Sequence, residues 1–239
     1  MAVGGGIRSA ASAYVRARKR IPTWAIKPLR RIRTRLRIKL LHCFCADWVN
    51  PAFATCPPKY TAQFLSPAVI RNFAKDPNCD MTEDFLVEAL SKGDECFGIL
   101  DGRTLAAYSW YASQPTRIRP RDLMMQIDGR YVYMYKGFTS DAYRGQRLHA
   151  IGKTLALQTY MSRGFRGIIS YVEFDNAESL KSTRRMGARL VGSIFILGVF
   201  GHYLIYRTRG CRKFGVRITR PRPGSDAPST DTPSPLKFE

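Results

Sequence analysis

Apolar and polar positions along this chain fall into short runs with two periods. Tyr60–Leu65, Glu95–Leu100, Arg103–Ser113, Tyr131–Thr139 and Gly167–Phe174 are dense in β-branched and aromatic residues and read as strands. Asp101-Gly102, between the second and third of these runs, is the signal of a type I′ hairpin turn. Helical punctuation separates the others. Ser66-Pro67 places a Ser N-cap before a Pro at the first helical position. Asp80-x-x-Glu83 and Asp175-x-x-Glu178 resemble capping boxes, opening helices that Gly93 and Gly187 close. A longer helix opens near His149, runs to about Ser162 and ends before Gly164. Gln114–Arg130 reads as an irregular connection, and Arg189–Phe200 with His202–Arg207 as a final hairpin around Gly201. The expected order is β-α-α-β-β-β-α-β-α-β-β over residues 60–218, one domain.

The two ends differ from this pattern. Residues 1–46 hold 12 Lys/Arg and no acid, so more than half of the net charge of +21 lies there. Residues 1–59 are expected to be a basic arm, attracted to anionic surfaces. Within it, Leu29, Ile32, Leu36 and Leu40 follow helical spacing, while Arg31, Arg33, Arg35, Arg37 and Lys39 alternate with apolar residues as a strand would. An interfacial helix on an anionic membrane and a solvated arm packed loosely on the domain both fit. The first 20 residues have no apolar core of a secretory signal, and their lack of acids resembles an organellar transit peptide. The expected setting is cytoplasmic, peripheral on the inner membrane surface, with organellar targeting as the alternative. Residues 219–239, rich in Pro, Ser and Thr, are expected to be a disordered tail.

Composition narrows the chemistry. The six cysteines include no Cys-x-x-Cys pair and the three histidines complete no zinc spacing, so free thiols and no metal are expected. Leu190–Tyr206 is nearly uncharged but falls short of about 20 apolar residues and carries several glycines, which favours a buried hairpin over a membrane span. The most informative stretch is Tyr131–Thr139 followed by Ser140-Asp-Ala-Tyr-Arg-Gly-Gln-Arg-Leu-His149. A strand feeding an Arg/Gly loop and a helix N-terminus presents backbone N–H groups at the positive end of a helix dipole, where phosphate binds.

With that loop after the fourth expected strand, the chain resembles the GNAT superfamily of N-acetyltransferases over about residues 60–207. Two motifs carry the resemblance. Arg144-Gly145-Gln146-Arg147-Leu148-His149 stands where the family reads Arg/Gln-x-x-Gly-x-Gly/Ala, with Arg147 and His149 replacing small residues. Asn176, Ser179, Thr183, Gly187 and Ala188 stand where the family reads Asn-x-x-Ala-x-x-x-Tyr-x-x-x-Gly-Phe, with Thr183 in place of Tyr.

The resemblance implies an α/β fold of GNAT-like, mixed type, a central twisted sheet with helices on both faces. It also implies acetyl-CoA or another acyl-CoA as co-substrate, without a metal. Backbone N–H groups of Gly145, Gln146, Arg147, Leu148 and His149 would hold the CoA pyrophosphate, with charge from Arg144 and Arg147. Groups near Phe138 and Thr139 would hold the pantetheine arm and polarise the thioester carbonyl. Asn176 and Ser179 would face the cofactor. Glu173 is the expected base, with Tyr171 or Tyr135 in the acid role that Thr183 fills poorly, since a Thr hydroxyl cannot match a phenol. Lys136 would meet substrate or phosphate, or extend out to solvent. The acceptor would be an amine or hydroxyl on a small molecule or a lipid- or saccharide-linked compound. A catalytically weak CoA-binding module held at a membrane by its arm is the alternative, and nucleic-acid binding ranks below both.

Overall fold

The computed structural model describes residues 37–118, 123–199 and 202–221. The first half runs β1 (Arg37–Ala46), β2 (Thr61–Leu65), α1 (Pro67–Phe73), α2 (Glu83–Ser91), β3 (Glu95–Asp101), β4 (Thr104–Ala112), β5 (Thr116–Ile118) and β6 (Leu123–Gln126). The second half runs β7 (Tyr131–Thr139), α3 (Leu148–Ser162), β8 (Gly167–Glu173), α4 (Ala177–Arg185), β9 (Arg189–Val199), β10 (His202–Arg207), α5 (Arg209–Lys213) and β11 (Arg217–Thr219). Eight strands form a mixed sheet in the order β10-β9-β1-β8-β7-β4-β3-β2. All the pairings from β2 to β7 are antiparallel, and β7 pairs with β8 in parallel. A parallel pair needs a crossover, and α3 supplies it.

Helices cover both faces of this sheet. On one face α1 and α2 bury Ile70, Leu86 and Ala89 against Leu65, Cys96, Tyr108 and Trp110. On the other, α3 sets Ala156, Leu157 and Tyr160 against Phe97, Tyr111, Val132 and Ile168. Trp110, Tyr111 and Tyr160 are almost wholly buried, and each contributes about 1.5–3 kcal/mol through the apolar surface it removes from water. From β2 to β10 the expected elements follow in the expected order, with β5 and β6 added between β4 and β7, and the fold is a GNAT-like mixed α/β sheet.

The structure corrects several expectations. The arm does not extend to residue 59. β1 lies inside the sheet, antiparallel to β8 with Leu41 opposite Glu173 and Cys45 opposite Ile169. Leu41, Cys43, Phe44 and Cys45 are buried, Phe44 against Val172, Leu180 and Ala188, so both faces of this strand are covered and polar alternation is not needed. An interfacial helix over residues 28–44 is thereby excluded from Arg37 onward, and the rest of that segment lies outside the described residues. The connection 114–130 is not irregular throughout: β5 and β6 form a hairpin that β11 extends to three strands. β11 includes Thr219, so the ordered fold runs past 218, and the expected tail beyond residue 221 lies outside the described residues.

Both capping boxes are shifted. Thr82 caps α2 by accepting the Phe85 N–H, while Asp80 sits at φ 49°, ψ 40°. Asn176, not Asp175, caps α4. At the β3–β4 turn Gly102 has φ +59° but Arg103 does not share the left-handed region, so the turn is not type I′. The last hairpin forms and is buried along β9, at Ile194 and Ile196, but not along β10, where His202, Leu204 and Tyr206 alternate as exposed positions. No helix among the described residues is long and apolar enough to cross a membrane. Contacts divide the chain into two units, Leu40–Phe195 with Tyr206–Glu239, and Ile196–Ile205 with the residues up to Lys39. The site described next lies wholly in the first.

Candidate acyl-CoA site

α3 starts without a side-chain cap. Its first helical bond runs from Ile151 N–H to Arg147 O at 3.0 Å, so the N–H groups of Leu148, His149 and Ala150 precede the ladder. Two left-handed residues turn the chain into the helix, Gly145 at φ +79° and Arg147 at φ 62°, ψ 15°. Open space surrounds the position a Gly145 Cβ would take. This exposed turn, with the positive end of a 15-residue helix behind it, fits an anionic diphosphate. The sequence expected Arg147 to crowd the approach. Instead its backbone takes the turn that glycine takes easily, and its side chain is exposed.

Residues far apart in sequence hold the loop. Tyr143 donates its hydroxyl to Asp101 Oδ2 at 3.1 Å, and Lys59 pairs with the same oxygen at 2.8 Å. The Lys59 ammonium lies 5.3 Å from the Tyr60 ring centre and 5.9 Å from that of Tyr143. Tyr60 donates its hydroxyl to Gln146 Oε1. Arg144 pairs with Asp141 at 2.7 Å, so part of the charge expected for phosphate is already compensated. Lys59, Tyr60 and Asp101 went unnoticed in the sequence, where nothing joins them.

His149 departs from the cradle role in its side chain. A Cβ on Gly137 would lie 2.7 Å from His149 Cε1 and 3.2 Å from Nδ1, so the ring packs onto β7 instead of facing the loop mouth. It lines a small cavity with Phe97, Ile99, Ala107, Tyr108 and Ser109. Burial, and after it the charge of Lys153, holds its pKa down at about 4. A neutral imidazole adds no charge for phosphate, so the role expected of His149 rests on its backbone N–H alone.

β7 and β8 pair only over Tyr131–Tyr133 and Gly167–Ile169. Beyond that rung β7 continues along β4 to Thr139, and β8 continues along β1 to Glu173. The sheet therefore splits between its two parallel strands, and the split opens toward the loop. At its apex the β4 register shifts, with Trp110 opposite Lys136 and Tyr111 opposite Met134, leaving Tyr135 as the extra residue of a bulge. A split edge of this kind leaves β7 backbone groups for an extended ligand. Phe138 and Thr139 lie on that stretch, opposite Tyr108 and Ala107 on β4.

Side chains on the α1/α2 face of the split are tied down. Tyr135 donates to Asp94 Oδ2 at 2.8 Å. Lys136 pairs with Asp80 at 2.7 Å and lies over the Phe85 ring, so it neither meets phosphate nor extends freely into solvent. Tyr133 stacks on Tyr171 across the two strands, ring centres 6.4 Å apart. Glu173 ends β8 on the Tyr171 face, half-buried. Asn176 accepts the Ser179 N–H at 3.0 Å, a structural cap. Thr183 is buried beneath α4 at 6% exposure. Phe44, Val172, Leu180 and Ala188 make the small core there. Glu173 and Tyr171 thus stand at the split, while Asn176, Ser179 and Thr183 belong to the start and underside of α4.

On the α3 face of the split the sequence missed Lys153. It is buried at 3% exposure and donates to Ser170 Oγ at 3.0 Å. Its signal was available: it stands in the apolar stripe of Leu148, Ile151, Gly152, Ala156 and Leu157, where a lone lysine is rare.

No protein-family model matches this sequence, and no curated protein matches it. Among solved structures, the chain is similar to an acetyltransferase of the GNAT family from Novosphingobium aromaticivorans, at 17% identity and a TM-score of 0.46, over 72% of this chain and 66% of that one. It is similar to a GCN5-related N-acetyltransferase from Sphaerobacter thermophilus, at 14% identity and a TM-score of 0.46, over 79% and 59%. A Bacillus subtilis acetyltransferase in complex with CoA is similar at 15% identity and a TM-score of 0.38, over 55% and 77%. The chain thus spans about two thirds or less of the length of the first two.

Proposed function

We propose that this chain is an acyltransferase that moves an acyl group from acetyl-CoA, or a related acyl-CoA, directly to an amine or hydroxyl of an acceptor. The observation that carries the reading is the split between β7 and β8, aligned with an exposed loop and an uncapped helix N-terminus. The loop N–H groups and Arg147 bind the diphosphate, and Arg144 lends the charge that Asp141 leaves. β7 from Tyr135 to Thr139 offers its backbone to the pantetheine amides and to the carbonyl that accumulates negative charge. Bound acyl-CoA supplies an activated carbonyl carbon. The protein's share is to hold that carbon and the acceptor together, which can supply about 7–11 kcal/mol of the barrier. Glu173, at the open end of β8, takes the acceptor proton, directly or through water. Tyr171 stands on the same face as the donor for the departing sulfur. Thr183, a poor acid and buried, contributes packing.

Titration calorimetry with CoA and acetyl-CoA tests the reading. Saturable binding that Arg144→Glu and Arg147→Glu both weaken at least tenfold is the expected result. Absence of any CoA affinity in the wild-type chain refutes it. Binding without thiol release over a broad set of amines and alcohols selects the catalytically weak module instead, a reading to which the missing phenol at Thr183 lends weight.

A further inference from the structure

Lys153 is a cation buried without a counter-ion. Among the described residues no carboxylate pairs with it, and its one hydrogen bond goes to Ser170 Oγ at 3.0 Å. Neutral amines suit such a site better than ammonium does. Its position is specific. Ser170 follows Ile169, the last β8 residue to pair with β7. Lys153 therefore reaches the sheet at the apex of the split, level with the β7 bulge. It also sits five residues into the helix whose first turn faces the diphosphate, about 7.5 Å along the axis. A ligand anchored at that turn and lying in the split carries its acyl end toward this amine.

We propose that Lys153 is a modification site, an amine that takes the acetyl group from bound acetyl-CoA. The inference rests on the reading of loop and split as an acyl-CoA site. In the step, the lone pair of neutral Nζ attacks the thioester carbonyl carbon and a C–N bond forms. The C–S bond breaks with its electron pair going to sulfur. One Nζ proton passes to that thiolate, giving free CoA thiol and an amide on Lys153. Nothing is oxidised or reduced. The amide carries no charge, so modification removes a buried cation at the apex of the split.

The groups that bear on Lys153 leave it free to act as a nucleophile near neutrality. From β1 comes Cys45, whose thiol burial pushes up to about 12. From α3 comes His149, one turn earlier, held neutral at about 4. From β8 comes Ser170, which does not titrate. Burial brings the Lys153 ammonium down to about 8.

The full chain is incubated with acetyl-CoA, and acetylated peptides are mapped by mass spectrometry. Acetyl-CoA binding is followed by calorimetry in parallel. One acetyl group on Lys153 is expected, with an initial rate about tenfold higher at pH 9 than at pH 7, as the neutral fraction of an amine near 8 requires. An ordinary lysine amine with the reference pKa of about 10.4 rises about a hundredfold over the same interval. Lys153→Arg abolishes the label while leaving calorimetric binding within about threefold. Ser170→Ala, which removes only the hydroxyl, keeps both. Binding without acetylation of Lys153 overturns the proposal and leaves the acyl-CoA reading standing. No binding at all overturns both. Equal acetylation of Lys153 in an Arg144→Glu chain that has lost binding also overturns the proposal, since the acetyl group then comes from solution.

Discussion

Gly137 and His149 give the sharpest mechanical test of the site. Gly137 is a β7 residue with the His149 ring lying directly over its α-carbon. A methyl there would sit 2.7 Å from Cε1, 3.2 Å from Nδ1 and 3.1 Å from Met134 Cε. The Met134 end can move. The ring lines the small cavity with Phe97, Ala107, Tyr108 and Ser109, so it can give only as far as that cavity allows, and beyond that the methyl pushes the first turn of α3 off the sheet. Overpacking of this kind costs about 1–3 kcal/mol, and we expect the upper half of that range. For a chain of this size that lowers Tm by about 4–12 °C. The measurement is urea unfolding followed by circular dichroism, with midpoints compared at constant m. The decisive variant is the double one. His149→Ala removes the ring and creates a cavity, so alone it also destabilises. Together with Gly137→Ala the methyl occupies part of that space, and the double variant should be more stable than the sum of the single losses by at least 1 kcal/mol. Additive losses would refute the packing of His149 against β7. The same displacement moves the loop N–H groups, so Gly137→Ala should also weaken CoA binding.

Other expectations follow from single contacts. Arg147→Gly relieves a left-handed backbone, so we expect a gain of about 0.5–1 kcal/mol in urea unfolding, together with weaker CoA binding from the lost charge. Stability should also depend on pH through His149 and Lys153, whose folded pKa values, about 4 and about 8, are both depressed. The unfolded chain binds more protons in the intervals between about 4 and 6.5 and between about 8 and 10.4, so unfolding free energy rises with pH through each. Lys153→Met should flatten the upper interval and, by removing a buried cation, raise stability at pH 7 by about 1–3 kcal/mol. Asn176→Ala removes the α4 cap and should cost about 1 kcal/mol without affecting the diphosphate affinity measured by calorimetry. Tyr143→Phe breaks the tie to Asp101, and a several-fold loss of CoA affinity with an unchanged Tm is the expected pattern.

Most of the sheet was legible because its signals are local. Tyr131–Thr139, the Arg/Gly loop and the helix after it are contiguous, and a strand–loop–helix unit presents its N–H groups whatever its neighbours are. β1 was not legible, since Arg37–Leu40 alternates like a strand while Leu36 and Leu40 also fit a helix. What decides between them is β8, whose residues lie about 130 positions downstream in the register. β5 and β6 are short, four residues at most, and gain their third strand only near the C-terminus. The site divides in the same way. Backbone donors could be read from the loop, but the direction of the His149 side chain depends on Gly137, and the loop anchors depend on the meeting of Lys59, Tyr60 and Asp101. Capping residues were misplaced by one or two positions because Asp80, Thr82, Asp175 and Asn176 are all competent caps. The choice depends on which of them has extended backbone where the helix starts.

The electrostatics of the split now have a definite asymmetry. On the α1/α2 face the charges nearest β7 are paired, Lys136 with Asp80 and Asp94 with Lys92 and Tyr135. Those pairs fix strand and helix positions. On the α3 face His149 and Lys153 lie one turn apart, and the charge of Lys153 adds to burial in lowering the tendency of His149 to protonate. Because Lys153 is already buried, its amine is depressed before any ligand arrives. A thioester ligand lying in the split as proposed would add negative charge at the head of α3, which opposes that depression, so the Lys153 pKa measured with and without CoA reports the sign of the coupling between the two ends of the site.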